Sequence, residues 1–273
     1  MGGLWLDAQV GRAGQLLLGV LTAGVFVGLL TLHAPVVRLQ ALSLVAIATV
    51  GEVVGSLIWG LYGYRLDNLP AFVPPGHGLV YLAGVSLATV CASRSGLLLS
   101  LAAAAAAVWG IAGLTVLSTT DLAGAIGCAF LVLVLLRTRR SVYAGVFVVV
   151  AALELYGTAL GTWTWESTVP GLGLAQGNPP SGVASGYVVF DVLALSLAAR
   201  LRTPSEIGSE TVRLLSAAFS TAVRVARAAA DQPMSARNAA RSTGLAATIN
   251  SRAASTLSHT SQSRNPRGFP SSM

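Results

Sequence analysis

The sequence predicts an all-α, polytopic integral membrane bundle of about seven transmembrane helices, with the N-terminus outside, the C-terminus cytoplasmic and a basic, largely disordered C-terminal tail. Three observations carry this prediction. Hydrophobic residues make up 54% of the chain and charged residues only 10%, too few to build a water-exposed surface, since an ordinary soluble domain is roughly a quarter charged. Seven apolar stretches approach the ~20 residues that cross a hydrocarbon core. Arginine alternates between the connections.

The first stretch, at about 14–33, follows Arg12 and has no clear small-residue cleavage site, so it is expected to be a retained span rather than a removed signal peptide. The second, 40–63, carries Glu52 in its middle. The third, 78–94, follows a Pro-Pro-Gly-His sequence, and the fourth, 97–118, is rich in alanine and leucine. The fifth, 121–137, runs into the Arg137, Arg139 and Arg140 cluster. The sixth, 142–163, carries Glu154, and the seventh, 184–200, carries Asp191. The third, fifth and seventh are the shortest of the set.

Arg38, Arg94 and the Arg137 cluster fall on one side with the tail, whereas the other side carries Arg12 and Arg65; the positive-inside rule places the first side in the cytoplasm. The two longest connections, about 64–77 and 164–184, are then both extracytoplasmic and rich in proline, glycine and asparagine. Long connections gathered on one face are a usual place for function.

The domain reading is a transmembrane unit over 1–200, a basic amphipathic juxtamembrane helix over 201–232 and a disordered tail over 233–273. The juxtamembrane helix is expected from a Thr203-Pro204-Ser205-Glu206 start followed by Leu215, Phe219 and Val223 at four-residue spacing among Arg213, Arg224 and Arg227. Such a helix suits anionic lipids of the inner leaflet. Beyond Gln232 the Ser, Ala, Arg and Thr-rich composition has no apolar periodicity.

The formal charge of +7 resembles a nucleic-acid signal until the arginines are located: ten of seventeen lie between Arg200 and Arg267. The charge belongs to the tail, and no nucleic-acid partner is expected. The chain has no lysine, which excludes Schiff-base chemistry and with it a retinal photoreceptor. Arginine in place of lysine also points to a GC-rich genome and hence to a bacterial plasma membrane. Cys91 and Cys128 sit in apolar runs outside any CxxC or Cys/His pattern, so they read as small hydrophobes.

A pattern occurs twice, about a hundred residues apart, over about 40–95 and 142–200. The first copy reads Gly51-Glu52, Gly55, Trp59, Tyr62, Tyr64, Pro74-Pro75-Gly76-His77 and Tyr81. The second reads Glu154, Gly157, Gly161, Trp163, Trp165, Asn178-Pro179-Pro180 and Tyr187. With four spans between them the copies share an orientation, as in a parallel repeat; a chance match in a glycine- and leucine-rich chain is the alternative. Read as continuous helices, Glu52, Gly55, Trp59 and Tyr62 form one stripe, and Glu154, Gly157, Gly161 and Trp165 another.

An ionised carboxylate at mid-bilayer costs on the order of 2.5–3.5 kcal/mol, so Glu52 and Glu154 are expected to be neutral acids, able to donate a proton. The competing reading is interhelical glue. Asp191 could join the same cavity or snorkel to the interface, with Tyr187 one turn away. His77 could shuttle protons, or simply open its helix in contact with solvent. Asn178 could set the turn before its prolines. Trp59, Tyr62, Tyr64, Trp163 and Trp165 suit either an interfacial aromatic belt or a cavity offering π faces to a cation. The spacings Gly24/Gly28, Gly51/Gly55 and Gly157/Gly161 read as close helix packing.

Paired DxxxD aspartates, a phosphate-binding loop, an HExxH motif and a hydrolase triad order are all missing from the sequence. No metal or cofactor is expected, and a phosphorylated substrate is disfavoured. Three functional classes follow. The first is an enzyme acting on an apolar, unphosphorylated lipid such as an isoprenoid, with Glu52, Glu154 and Asp191 as acids and bases and Trp59, Tyr62, Tyr64, His77, Trp163, Trp165, Asn178 and Tyr187 around the substrate. The second is a proton-coupled transporter, and the third a non-catalytic scaffold. The enzyme reading is placed first because seven spans with an unpaired fourth make an untidy two-fold transporter.

Overall fold

A computed structural model describes residues 1–117 and 119–201. The juxtamembrane helix and the tail expected from the sequence lie outside the described residues. The described residues are mostly helical, and among them four helices are long and apolar enough to cross a membrane: Arg12–Thr31, Pro35–Trp59, Ala92–Thr115 and Ser141–Ala159.

In chain order, a short helix α1 (Gly2–Asp7) precedes α2 (Arg12–Thr31). α3 (Pro35–Glu52) opens on a proline in its first turn, where a missing N–H is harmless. It continues as a wider π-helical stretch over Val53–Trp59. Gly60, at φ 75°, ends that stretch, and the Leu61 amide bonds back to the Gly55 carbonyl at 2.8 Å. Next come strand β1 (Tyr62–Tyr64), α4 (Val73–Val90), a 3-10 turn at Ala92–Arg94, α5 (Ser95–Thr115), α6 (Leu122–Thr138) and α7 (Ser141–Ala159). Strand β2 (Trp163–Trp165) and α8 (Ala184–Arg200) complete the described chain. Each of the seven apolar stretches is therefore occupied by a helix.

The helices pack as α5 on α6, α4 on α7, and α3 on both α4 and α8. One core gathers Ala102, Ala106, Leu131, Val146, Val150 and Val188; another joins Phe26, Leu44, Leu82 and Ala194. Contact between α4 and α7 is backbone to backbone, since a Cβ on Gly84 would sit 2.9 Å from the Val146 amide nitrogen. The glycine pairs expected to mediate packing divide. Gly51 and Gly55 meet the rings of Phe190 and Tyr62, and Gly157 meets Trp163, but Gly24 and Gly28 have nothing within 4 Å, and Gly161 is a turn residue at φ 68°. Both cysteines are free, Cys128 buried and Cys91 half-buried.

Two corrections to the sequence reading shape the site. The second and sixth helical runs end at Trp59 and Ala159, so Tyr62, Tyr64, Trp163 and Trp165 leave the helices and form an antiparallel ribbon that pairs Tyr62 with Trp165 and Tyr64 with Trp163. Left-handed glycines at 60 and 161 reverse the chain, which hydropathy does not register. Further, α4 starts at Val73 and not at 78, because Pro74 and Pro75 occupy its first turn instead of preceding it.

The two long connections are stitched together beyond the ribbon. Glu166 N–H and the Gln176 side-chain amide both donate to the Leu61 carbonyl, at 3.0 Å each, and Trp59 Nε1 donates to the Pro170 carbonyl at 2.9 Å. Asp121, fully buried at the start of α6, holds the second connection: its carboxylate accepts from the amides of Gly124 (2.9 Å), Gly177 (2.8 Å) and Ser181 (2.6 Å).

Candidate functional site

Ten residues of continuous helix would hold Glu52 and Tyr62 about 15 Å apart along the axis. The turn at Gly60 folds the strand back instead, and the Tyr62 hydroxyl donates to Glu52 Oε2 at 2.7 Å. Tyr64 donates to the same oxygen at 2.6 Å, and His77 Nε2 lies 2.8 Å from Oε1. The second motif copy makes a parallel arrangement. After the turn at Gly161, the indoles of Trp163 and Trp165 both donate to Glu154 Oε2, at 2.9 and 3.2 Å. Gly157 makes this possible, because the Trp163 ring lies where a side chain at 157 would be.

Ribbon geometry explains why four aromatic rings converge. Alternate residues of a strand share a face, and directly paired residues of an antiparallel ribbon point to the same side. Tyr62, Tyr64, Trp163 and Trp165 therefore form one aromatic face, with Tyr62 and Trp165 4.4 Å apart between ring centroids. Burial, and then the neighbouring Glu52 charge, push the phenols of Tyr62 and Tyr64 well above the ordinary tyrosine range, so both are committed donors.

The face closes over a cavity of about 230 Å³. Its polar lining is Glu52, Glu154, His77 and the ribbon aromatics with Tyr187, and its apolar lining includes Leu4, Phe72, Val80, Leu153 and Phe190. Tyr187 stacks against His77 at 5.1 Å, with Phe190 edge-on to the same imidazole at 6.3 Å. α1, which contributes Leu4 to the lining, is tied to α2 and to the residues after β1. Asp7, fully buried, accepts from Gln15 Nε2 at 2.7 Å, and Asn68 donates to Gln15 Oε1 at 3.0 Å. Arg65 donates to the carbonyls of Asp7 and Val10. Burial pushes the Asp7 carboxyl up, against the opposing pull of Gln15 and Arg65.

The two glutamates are wired differently. Indole N–H groups can only donate, so Glu154 Oε2 is always an acceptor, and a proton on this acid resides on Oε1. Glu52 accepts two phenols on Oε2, and its Oε1 shares one proton position with His77 Nε2. The pair thus contains one carboxyl suited to carrying a proton and one carboxylate–imidazole couple suited to receiving one.

Eight sequence-predicted residues meet here: Glu52, Tyr62, Tyr64, His77, Glu154, Trp163, Trp165 and Tyr187. Three others stand elsewhere. Trp59 is 46% exposed. Asn178 uses Oδ1 to accept from the Trp165 amide at 3.0 Å and so braces the ribbon from behind. Asp191 is buried in α8 outside the cavity lining, with Oδ2 unpartnered among the described residues; neither interface snorkelling nor a place in the cavity describes it. His77 also departs from its expected position at a solvated helix start, being buried and paired with Glu52.

Sequence reasoning missed Asp121, Asp7 and Gln15. An Asp immediately before an apolar run is a helix-cap signal that would have found the first, but its grip on Gly177 and Ser181 has no local signature. Compared with known protein families, curated proteins and solved structures, the chain matches none.

Proposed function

We propose that this chain is a multi-pass membrane enzyme that performs acid–base chemistry on an apolar, unphosphorylated lipid, such as an isoprenoid, in the cavity beneath the aromatic ribbon. The observation that carries the proposal is the unequal wiring of two buried carboxyls around one largely apolar space. Glu154 protonates an alkene carbon from Oε1, leaving a carbocation. The Glu52–His77 couple removes a proton from an adjacent carbon, and a shifted or ring-closed alkene results with no net change in composition. Attack by water on the carbocation, with the Glu52–His77 couple taking a proton from the attacking water, gives the hydrated product instead. Asp191 is not part of this scheme.

The proposal includes a topology of seven spans with the cavity on the extracytoplasmic side and the arginine tail in the cytoplasm of a bacterial cell. In support, the cavity is built from the connections on the side poor in arginine, whereas Arg38, Arg94 and Arg137 to Arg140 lie on the opposite connections. The two motif copies, read as a parallel repeat, each supply one carboxyl and one strand of the ribbon.

The test is lipid profiling by mass spectrometry of cells expressing wild type, Glu52→Gln or Glu154→Gln at matched membrane levels. Glutamine keeps an acceptor for the tyrosines or tryptophans and deletes the transferable proton. An apolar lipid that appears or disappears with wild type, and reverts in both variants, is the expected result. Identical lipids in all strains sink the enzyme reading for host lipids; proton-coupled flux in proteoliposomes then decides between transport and a scaffold.

A further inference from the structure

The cavity's hydrogen-bonding groups divide in an unusual way once each is accounted for. Its side-chain donors are the hydroxyls of Tyr62 and Tyr64, the indole N–H groups of Trp163 and Trp165, and His77. The first four are given to Glu52 or Glu154, and His77 Nε2 is engaged with Glu52. With Nε2 engaged by Glu52, the imidazole has only Nδ1 left for the cavity. Tyr187 also lines the cavity, stacked against His77. Lysine and arginine do not line the space. What is left for a ligand is the Glu154 Oε1 proton, the Tyr187 hydroxyl and one ring nitrogen of His77, set among carboxyl oxygens, aromatic rings and hydrocarbon with no cationic lysine or arginine.

Two carboxyls with no lysine or arginine beside them make such a lining a poor host for an anion or a phosphate, which call for charged donors. It suits the opposite charge, because carboxylate oxygens and the negative faces of aromatic rings both attract a cation, most strongly where water is excluded. Phe72, Val80, Leu153 and Phe190 offer the rest of the ligand an apolar wall. A strongly hydrated, hydrogen-bond-hungry primary ammonium would be less well served than a compact alkylated one.

We infer that this cavity recognises compact positive charge on an apolar chain, so that its ligand class is an amphiphile bearing a tertiary or quaternary ammonium centre. The inference rests on reading the cavity as the reacting site, in that the carbocation of the proposed reaction would occupy the place where such an ammonium binds. Binding itself requires no turnover, so the two ideas are separable.

The test uses the full chain in maltoside micelles, titrated with decyltrimethylammonium, with its uncharged carbon isostere 2,2-dimethyldodecane and with decyl sulfate. Binding is followed by tryptophan fluorescence, because Trp163 and Trp165 line the cavity. The expected result is an affinity for the ammonium about tenfold or more above that for the isostere, with the sulfate weakest and the preference reduced in Glu52→Gln and Glu154→Gln. Equal affinities, tighter sulfate binding or no binding of any of the three overturn the inference on wild-type protein alone, whatever the variants do. A charge preference alongside unchanged lipid profiles upholds the inference and removes the enzyme reading; altered lipid profiles with no charge preference do the reverse.

Discussion

Gly157→Ala is the substitution that most directly interrogates how the second half of the site is assembled. A Cβ at this position would overlap three ring carbons of Trp163, with Cζ3 at 2.7 Å, closer than real Cβ contacts occur. The indole must therefore move, and its 2.9 Å bond to Glu154 Oε2 is broken or stretched. Overpacking costs about 1–3 kcal/mol and a lost buried hydrogen bond about 0.5–1.5 kcal/mol, so a total of roughly 2–4 kcal/mol is expected. Thermal or denaturant unfolding in detergent, followed by near-UV circular dichroism, provides the measurement. Combining Gly157→Ala with Trp163→Leu makes a double-mutant cycle: with the ring gone the alanine has room, and most of its penalty should vanish. Gly24→Ala is the control, because nothing lies within 4 Å of a Cβ there. If Gly157→Ala unfolds like wild type and like Gly24→Ala, the placement of Trp163 against Gly157 is wrong, and with it the wiring of Glu154.

Other consequences can be checked on the same protein. Asp121→Ala strips the acceptor from three buried amides, those of Gly124, Gly177 and Ser181; unfolding should show a loss of about 3–9 kcal/mol at ~1–3 kcal/mol per orphaned donor, and an effect of a few tenths would refute the clamp. Tyr64→Phe should cost about 1–2 kcal/mol by removing the 2.6 Å bond to Glu52 without changing ring volume, again read by unfolding; a neutral result would place the hydroxyl elsewhere. Asp7 supplies a pH test. Its folded-state carboxyl is raised above 3.8, so the folded chain holds this proton more tightly than the unfolded chain. Stability from this group is full below 3.8 and declines as pH rises from there through the raised value. Melting curves over that window should slope less for Asp7→Asn than for wild type, and parallel slopes would refute the burial of this carboxyl.

Much of the helical architecture was legible because the length and apolarity of a run are one-dimensional properties. Runs near 20 apolar residues and the position of arginine depend on composition along the chain, and each predicted run contains a helix. Glu52 and Glu154 stood out for the same reason, since an acid in an apolar run is conspicuous. The motif copies also marked most of the aromatics that line the cavity, but for a geometry that does not occur: Glu52 and Tyr62 lie together because Gly60 reverses the chain, not because they share a helical stripe. Two residues can share a hydropathy profile with a helix and still belong to a strand, and only the backbone torsion at one glycine separates the cases.

By itself, then, the sequence determined the apolar helical runs, four of them long enough to cross a membrane, and the acids that lie within them. Tertiary structure decided which of those residues work together. It paired two three-residue strands a hundred positions apart, gave Glu154 two indoles and Glu52 two phenols with an imidazole, and left Asp191, Trp59 and Asn178 outside the cavity. The physical reason is range. Burial preference and helix length are set by neighbours within a few turns, whereas a hydrogen bond between side chains depends on positions fixed only after distant segments have packed.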